Sequence, residues 1–144
     1  MRKLKILFLC TGNSCRSQMA EGWTKNLKHA QLDVWSAGIE AHGLNPYAVR
    51  VMAEAGVYIS EQKSEIVEQL LDIPFDYVIT VCDHARDNCP VFPLPIKSIH
   101  KSFDDPPFLA QSAKSEEEVL EIYRRVRDEI RDFVMTLPES LQNS

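Results

Sequence analysis

The sequence predicts an α/β fold: one domain spanning residues 1–144, built on a four-stranded parallel sheet with helices on both faces. Strand-like and helix-like segments alternate along the chain, which is the pattern that produces parallel sheets. The first segment is almost wholly apolar after Lys5, as expected of a strand buried on both faces. A length of 144 residues suits a single domain with one core.

The first half of the chain predicts two strands and two helices. Apolar stretches indicate strands at residues 3–9 and 32–37. Between them, a helix over residues 17–27 is indicated by three large apolar side chains at intervals of four, namely Met19, Trp23 and Leu27. A second helix, over residues 46–55, begins with Asn45 as its N-cap and a proline in its first turn.

The second half predicts the remaining strands and two more helices. A short helix is expected at residues 64–71. The third strand is expected at residues 75–81 and the fourth around Ile96. Ser115, with Glu118 three residues later, forms a capping box that opens a long helix ending near Leu137. The residues after Pro138 are expected to fray.

Composition and charge disfavour several classes of function. Hydrophobic residues make up 44% and charged residues 26%, the balance of an ordinary globular protein. The formal net charge of −5 argues against nucleic acid or an anionic membrane as a partner, so any anion site must be built locally. The N-terminal apolar run is too short for a signal peptide, and no run approaches the ~20 residues of a membrane span. We expect a cytoplasmic monomer.

A polar loop after the first strand carries the residues most suggestive of chemistry. It consists of eight residues between a predicted strand and a predicted helix: Cys10, Thr11, Gly12, Asn13, Ser14, Cys15, Arg16 and Ser17. Successive backbone N–H groups in such a loop form an anion nest, and the helix N-terminus adds its dipole. Arg16 can hold two oxygens of a tetrahedral oxyanion. The whole loop is therefore the predicted substrate-binding site.

Cys10 is the predicted nucleophile. The positive field of the loop favours its thiolate, and Ser14 and Ser17 offer hydroxyl donors to that thiolate. Gly12 lets the backbone approach a ligand closely. The alternative is a buried core thiol in a plain turn, which the spacing of cysteine and arginine between strand and helix disfavours.

A second polar segment supplies a candidate general acid. Asp104 and Asp105 precede two prolines, and Pro106 restricts Asp105 to extended conformations that would fix its carboxyl. Near the anion loop, this carboxyl could protonate a departing oxygen. Taken alone, the segment is more typical of a surface turn, so the catalytic interpretation depends on its pairing with the cysteine loop.

Two further cysteines, Cys82 and Cys89, flank a polar stretch after the third strand. On a continuous helix their Cα atoms would lie ~10 Å apart, whereas a disulfide requires ~7 Å or less. If they pair, the intervening segment must loop or unwind, as in a switch. One alternative is a zinc site formed by the two cysteines and His84. The other is that the two thiols are unrelated and simply pack in the protein. The remaining histidines are expected to be structural or at the surface: His29, His42 and His100.

With these motifs in view, the chain resembles the arsenate reductases built on the low-molecular-weight protein tyrosine phosphatase fold. The likeness runs nearly end to end and covers the anion loop with residues 18–22, residues 36–46, Cys82, Cys89, and residues 103–106 and 125–130. It implies that Cys10 is the nucleophile, Arg16 the oxyanion clamp and Asp105 the general acid. It also implies a disulfide relay from Cys10 to Cys82 and Cys89, which thioredoxin regenerates. The implied role is arsenic detoxification, and no tightly bound cofactor is expected.

The resemblance further implies a potassium ion near the loop, as some members of the family hold. The matching positions are Asn13, Glu21, Ser36 and Glu65, the last of which departs from the usual aspartate. Two other departures lie near the second pair of cysteines. Asp83 stands where relatives often carry glycine, and Lys101 stands where they often carry tryptophan.

Two other functions stay open at the level of sequence. A phosphatase on the same fold needs Cys10, Arg16 and Asp105 but has no use for Cys82 or Cys89. If it selects phosphotyrosine, it should also offer aromatic residues at the pocket mouth. A non-catalytic anion sensor would not need nucleophile, clamp and acid together. Weak phosphatase side activity is compatible with arsenate reduction, because phosphate and arsenate are near-isosteric.

Overall fold

The computed structural model describes residues 2–142, and its strands form the predicted four-stranded parallel sheet in a single domain. In chain order the strands are β1 (Leu4–Cys10), β2 (Leu32–Gly38), β3 (Tyr77–Thr80) and β4 (Lys97–His100). They lie side by side in the order β2-β1-β3-β4, and every neighbouring pair is parallel. The central strands are therefore β1 and β3.

The central strands are buried without interruption. Residues 6–10 of β1 are all buried, and so are all four residues of β3. Because successive side chains of a strand point to opposite faces, this unbroken burial means that both faces of the sheet are covered. The two-sided covering predicted from the apolar first segment is confirmed.

Six helices surround the sheet within the described residues: α1 (Arg16–Leu27), α2 (Pro46–Glu54), α3 (Asp83–Asp87), α4 (Pro106–Ala110), α5 (Glu116–Met135) and α6 (Glu139–Gln142). The predicted N-caps are confirmed, because Asn45 and Ser115 accept hydrogen bonds from backbone N–H groups of α2 and α5. The long helix α5 packs against α1, α2 and α4. Between residues 2 and 142, none of these helices has the length and apolarity to cross a membrane.

Several local predictions need correction. The C-terminal residues up to 142 do not fray, because α6 buries Leu141 in the core; the last two residues lie outside the described part. The helix expected at residues 64–71 is only a 3₁₀ turn at Val67–Leu70, since Ile66 still pairs alongside β2. The short helices α3 and α4 were not among the predicted elements, because single turns lack a periodic apolar pattern.

The sheet places the polar loops at one edge. The register pairs Leu9 with Thr80, so the carboxyl ends of β1 and β3 lie side by side. In parallel sheets, ligands bind beyond this edge. Gly38 at the end of β2 allows the loop after β1 to pack closely, because a Cβ there would lie 2.7 Å from the carbonyl oxygen of Thr11 and 2.7 Å from the amide nitrogen of Asn13.

Candidate active site

A cavity of about 420 Å³ opens beyond the carboxyl end of β1. Most of the predicted binding loop lines it, namely Cys10, Thr11, Gly12, Ser14, Cys15 and Arg16, together with Asp105 from a distant segment. Asn13 and Ser17 do not line the cavity but are buried behind it. The structure thus brings the predicted nucleophile, clamp and acid to one pocket.

Cys10 lies at the base of this pocket with 4% of its surface exposed. Its Sγ is 2.8 Å from Oγ of Ser17, in the first turn of α1. Asn13 donates one amide hydrogen to that same oxygen, at 2.8 Å, and a second to Ser36. Because Ser17 already accepts a hydrogen bond from Asn13, its own hydroxyl hydrogen is free to point at the sulfur. The Ser17 hydroxyl can therefore donate a hydrogen bond to Sγ of Cys10.

Arg16 is tied to the segment that carries the predicted acid. Its Nη1 donates to the carbonyl oxygen of Phe103 at 3.0 Å, and its Nη2 lies 3.7 Å from Oδ2 of Asp105. Asp105 has the extended backbone expected before a proline, and it is the N-cap residue of α4. Asp104 instead pairs with Arg125 at 3.1 Å, outside the pocket lining. Of the two neighbouring carboxylates, Asp105 is therefore the one that lines the pocket.

A second buried thiol lies against the wall of the anion loop. Cys82 follows the end of β3 and is 4% exposed. Its Sγ is 3.4 Å from Oγ1 of Thr11, the residue after the nucleophile. The same sulfur accepts the N–H of Ala85 at 3.4 Å, because Cys82 is the N-cap residue of α3. Both contacts hold this sulfur in place, one against the anion loop and the other at the start of α3.

Cys89 lies just beyond the short helix α3 and is half-buried. Burial raises the pKa of its thiol, so Cys89 is a poor nucleophile in this conformation. Helix α3 occupies five of the six residues between the two cysteines. Among residues 2–142, no three His, Cys, Asp or Glu side chains are grouped to hold a metal ion, which speaks against zinc at Cys82, His84 and Cys89.

The fourth cysteine is a loop component rather than a second reactive thiol. Cys15 is buried, and that burial, together with the neighbouring Cys10, raises the pKa of its thiol far above the usual range. A thiol kept protonated in this way is neither a nucleophile nor a disulfide partner at neutral pH. Its contribution to the site is the backbone of the loop.

The four residues predicted for potassium lie close together and are linked by hydrogen bonds. The carboxylate of Glu21 accepts from the hydroxyl of Ser36 and from the ammonium of Lys25. Oδ1 of Asn13 accepts the backbone N–H of Glu65 at 2.7 Å. Lys25 thus already places a positive charge beside Glu21, and the potassium site stays a prediction.

The pocket mouth contains residues that sequence reasoning did not single out. His42, expected to be structural or at the surface, lines the cavity with Asn45 and Pro107. Its ring packs over Gly12, where a Cβ would lie 2.3 Å from Nδ1 of His42. Gly12 therefore makes room for the His42 ring. It is not needed for its backbone conformation, because the residue of this loop with a positive φ is Asn13. No local sequence signal marks His42, because its proximity arises from the return of the chain after β2.

Comparison with known proteins agrees with this geometry. The family model for low-molecular-weight phosphotyrosine protein phosphatases matches residues 5–144. The chain belongs to this family. An arsenate reductase of Halalkalibacterium halodurans is 51% identical to it over 140 residues, which are 97% of this chain and 99% of the relative.

Solved structures of the phosphatase family share the fold. An arsenate reductase in the reduced state superposes with a TM-score of 0.71 and 33% identity, covering 96% of this chain and 98% of that one. A low-molecular-weight protein tyrosine phosphatase from T. tengcongensis gives a TM-score of 0.72 and 26% identity, covering 96% and 99%. The predicted nucleophile, clamp and acid would serve the chemistry of either protein, so Cys82 and Cys89 are the residues expected to distinguish the two functions.

Proposed function

We propose that this protein reduces arsenate to arsenite with Cys10 as nucleophile and with Cys82 and Cys89 as a disulfide relay. The observation that carries the proposal is the buried thiol of Cys82, 3.4 Å from Thr11 of the anion loop. Phosphoryl transfer has no use for a second thiol at that place. The identity of 51% to a protein named arsenate reductase supports the same conclusion.

The first step uses the residues that line the pocket. Arsenate binds in the loop, where backbone N–H groups and Arg16 hold its oxygens. The Cys10 thiolate attacks arsenic and displaces one oxygen, which Asp105 protonates as it leaves. The product of this step is a Cys10 thioester of arsenic(V).

The second and third steps move the oxidation away from arsenic. Cys82 attacks Sγ of Cys10, and the electron pair of the sulfur–arsenic bond passes to arsenic, which departs as arsenite. A Cys10–Cys82 disulfide remains. Cys89 then attacks Sγ of Cys82, which releases the Cys10 thiolate and leaves a Cys82–Cys89 disulfide. Because α3 occupies the interval between these two cysteines, forming this bond requires that the helix unwinds.

The cycle closes when an external dithiol reduces the Cys82–Cys89 disulfide. We propose thioredoxin as this reductant and the cytoplasm as the location, because the relay requires thiols that are kept reduced. All side chains that take part in the reaction belong to one chain, so a monomer suffices.

The family name makes a phosphatase the second candidate. Cys10, Arg16 and Asp105 are also what phosphoryl transfer needs. The described lining of the cavity, however, has His42 as its one aromatic ring, together with polar side chains and Pro107. A small inorganic oxyanion needs no stacking surface, so this polar lining suits it. We therefore expect phosphatase activity to be a weak side reaction.

The deciding experiment measures arsenate-dependent NADPH oxidation with thioredoxin and thioredoxin reductase, alongside hydrolysis of a phosphotyrosine analogue. Cys10→Ser should abolish both activities, because a hydroxyl does not ionise at neutral pH. Cys89→Ser should stop after one turnover as a Cys10–Cys82 disulfide, and Cys82→Ser should stop before any disulfide forms. Peptide mapping identifies the stalled species. Repeated thioredoxin-driven turnover by Cys89→Ser would refute the relay.

A further inference from the structure

Asp83 connects the start of helix α3 to the end of the edge strand. It is the first residue of α3 and directly follows the relay residue Cys82. Its Oδ1 lies 2.9 Å from Nε2 of His100, the last residue of β4. The other ring nitrogen of His100 lies 2.8 Å from Oγ1 of Thr80, at the end of β3. The imidazole therefore joins the helix start to the sheet.

The hydrogen-bond directions in this contact are mutually consistent. A ring whose Nε2 donates to Asp83 presents a bare Nδ1, and the hydroxyl of Thr80 can donate to it. The ring is mostly buried, with 25% of its side chain exposed, while the Asp83 carboxylate is 67% exposed. The hydrogen bond from His100 is also the main cause that lowers the pKa of the Asp83 carboxyl. The acceptor is thus ionised at neutral pH, which strengthens the bond.

The contact opposes the movement that the relay needs. When Cys89 attacks Cys82, the turn between them has to give up its helical hydrogen bonds, including the one from the N–H of Asn88 to the carbonyl of His84. Asp83 lies inside that turn, and His100 anchors it to the rigid sheet. Cys82 also keeps its contact with the N–H of Ala85 only while this first turn is helical.

We propose that Asp83 and His100 form a latch that positions Cys82 and holds the segment between Cys82 and Cys89 in its reduced, helical conformation. The inference rests on the proposed relay and concerns its last internal step, the formation of the Cys82–Cys89 disulfide. The latch favours the reduced Cys82 beside Thr11 over the Cys82–Cys89 disulfide. Without it, the disulfide forms more readily, whereas the attack of Cys10 on arsenic, which precedes every step at Cys82, is unaffected.

The test compares Asp83→Ala with two matched variants. Asp83→Asn keeps a neutral acceptor for His100 and should give a smaller change than Asp83→Ala, because only the charge of the bond is lost. Asp87→Ala removes an equally exposed carboxylate from the same helix, one that pairs with its neighbour Arg86 rather than with the sheet. The first readout is hydrogen exchange of the reduced protein at residues 85–88, with the buried amides of β1 as the internal reference for global stability.

We expect Asp83→Ala to raise exchange at residues 85–88 by about two- to fivefold, the range for a single partly exposed charge pair. The second readout is the equilibrium between the Cys82–Cys89 dithiol and its disulfide in glutathione buffers, where oxidised glutathione takes up the two electrons. The constant for disulfide formation should rise by about two- to fivefold. This corresponds to a potential about 10–20 mV more negative, at about 30 mV per tenfold change.

A double-mutant cycle separates a latch from a simple helix-dipole effect of Asp83. His100→Leu should produce the same changes as Asp83→Ala, and combining the two should add nothing further. Additive effects, or equal effects of Asp87→Ala, would overturn the latch. If the unmodified protein forms no Cys82–Cys89 disulfide in the glutathione buffers, the proposed relay fails, while the exchange measurement still decides whether the latch exists.

Discussion

Removal of the Ser17 hydroxyl provides a direct test of how the loop activates its nucleophile. Ser17→Ala deletes the oxygen that lies 2.8 Å from Sγ of Cys10, and Asn13 then loses the acceptor that lies 2.8 Å from its Nδ2. A hydrogen bond to a charged group contributes about 1.5–3 kcal/mol. At 1.36 kcal/mol per factor of ten, loss of this bond should slow attack by Cys10 by about ten- to a hundredfold.

The assay is alkylation of Cys10 by iodoacetamide, followed by mass mapping of its peptide, together with single-turnover arsenate reduction. Both rates should fall by the same factor in Ser17→Ala. Ser64→Ala is the matched control, because its hydroxyl also contacts this loop, at 3.2 Å from the carbonyl oxygen of Gly12, but is not aimed at the sulfur. If Ser17→Ala and Ser64→Ala slow alkylation equally, the Ser17 hydroxyl does not act by donating a hydrogen bond to Sγ of Cys10.

Three further outcomes follow from the site. Asp105→Asn should slow the first chemical step by about 10²–10⁴, and Asp104→Asn should have little effect, since its partner lies outside the pocket; the reverse order in single-turnover rates would place the acid at Asp104. Burial raises the pKa of the Cys89 thiol, so its thiolate is scarce at neutral pH. Formation of the final disulfide should accelerate with pH by about tenfold per unit below that pKa, as rapid-quench mapping can show, and a flat profile would contradict the assignment. Replacing sodium ions in the buffer by potassium ions should leave steady-state turnover unchanged, because Lys25 already neutralises Glu21. Clear activation by potassium would show that the ion displaces Lys25 from Glu21.

Much of the fold follows from local sequence. The long apolar run before Cys10 predicted a central strand, because only a strand covered on both faces can be apolar at successive positions. Asn45 and Ser115 predicted helix starts, because a cap requires only the residue itself and the N–H groups of the next turn. The binding loop likewise owes its chemistry to eight consecutive residues between a strand and a helix.

The errors in the predicted fold have one physical cause. Residues 64–71 and the C-terminal tail have the composition of a helix and of a frayed end. Their observed conformations depend on partners far along the chain: Ile66 pairs beside β2, and Leu141 packs into the core. The local interactions within a short segment are too weak to stabilise one conformation, so tertiary contacts determine its structure.

The sequence by itself therefore determined the sheet and the loop after β1, and it singled out Cys10 and Arg16 as candidates, because these depend on periodicity and on neighbours along the chain. Only the tertiary structure decided that Asp105 rather than Asp104 faces the pocket and that Cys82 lies beside Thr11. It also brought together His100 and Asp83, which are 17 positions apart. Parallel pairing of β1, β3 and β4 collects their carboxyl ends at one edge, and a distance set by strand register cannot be read from spacing along the chain.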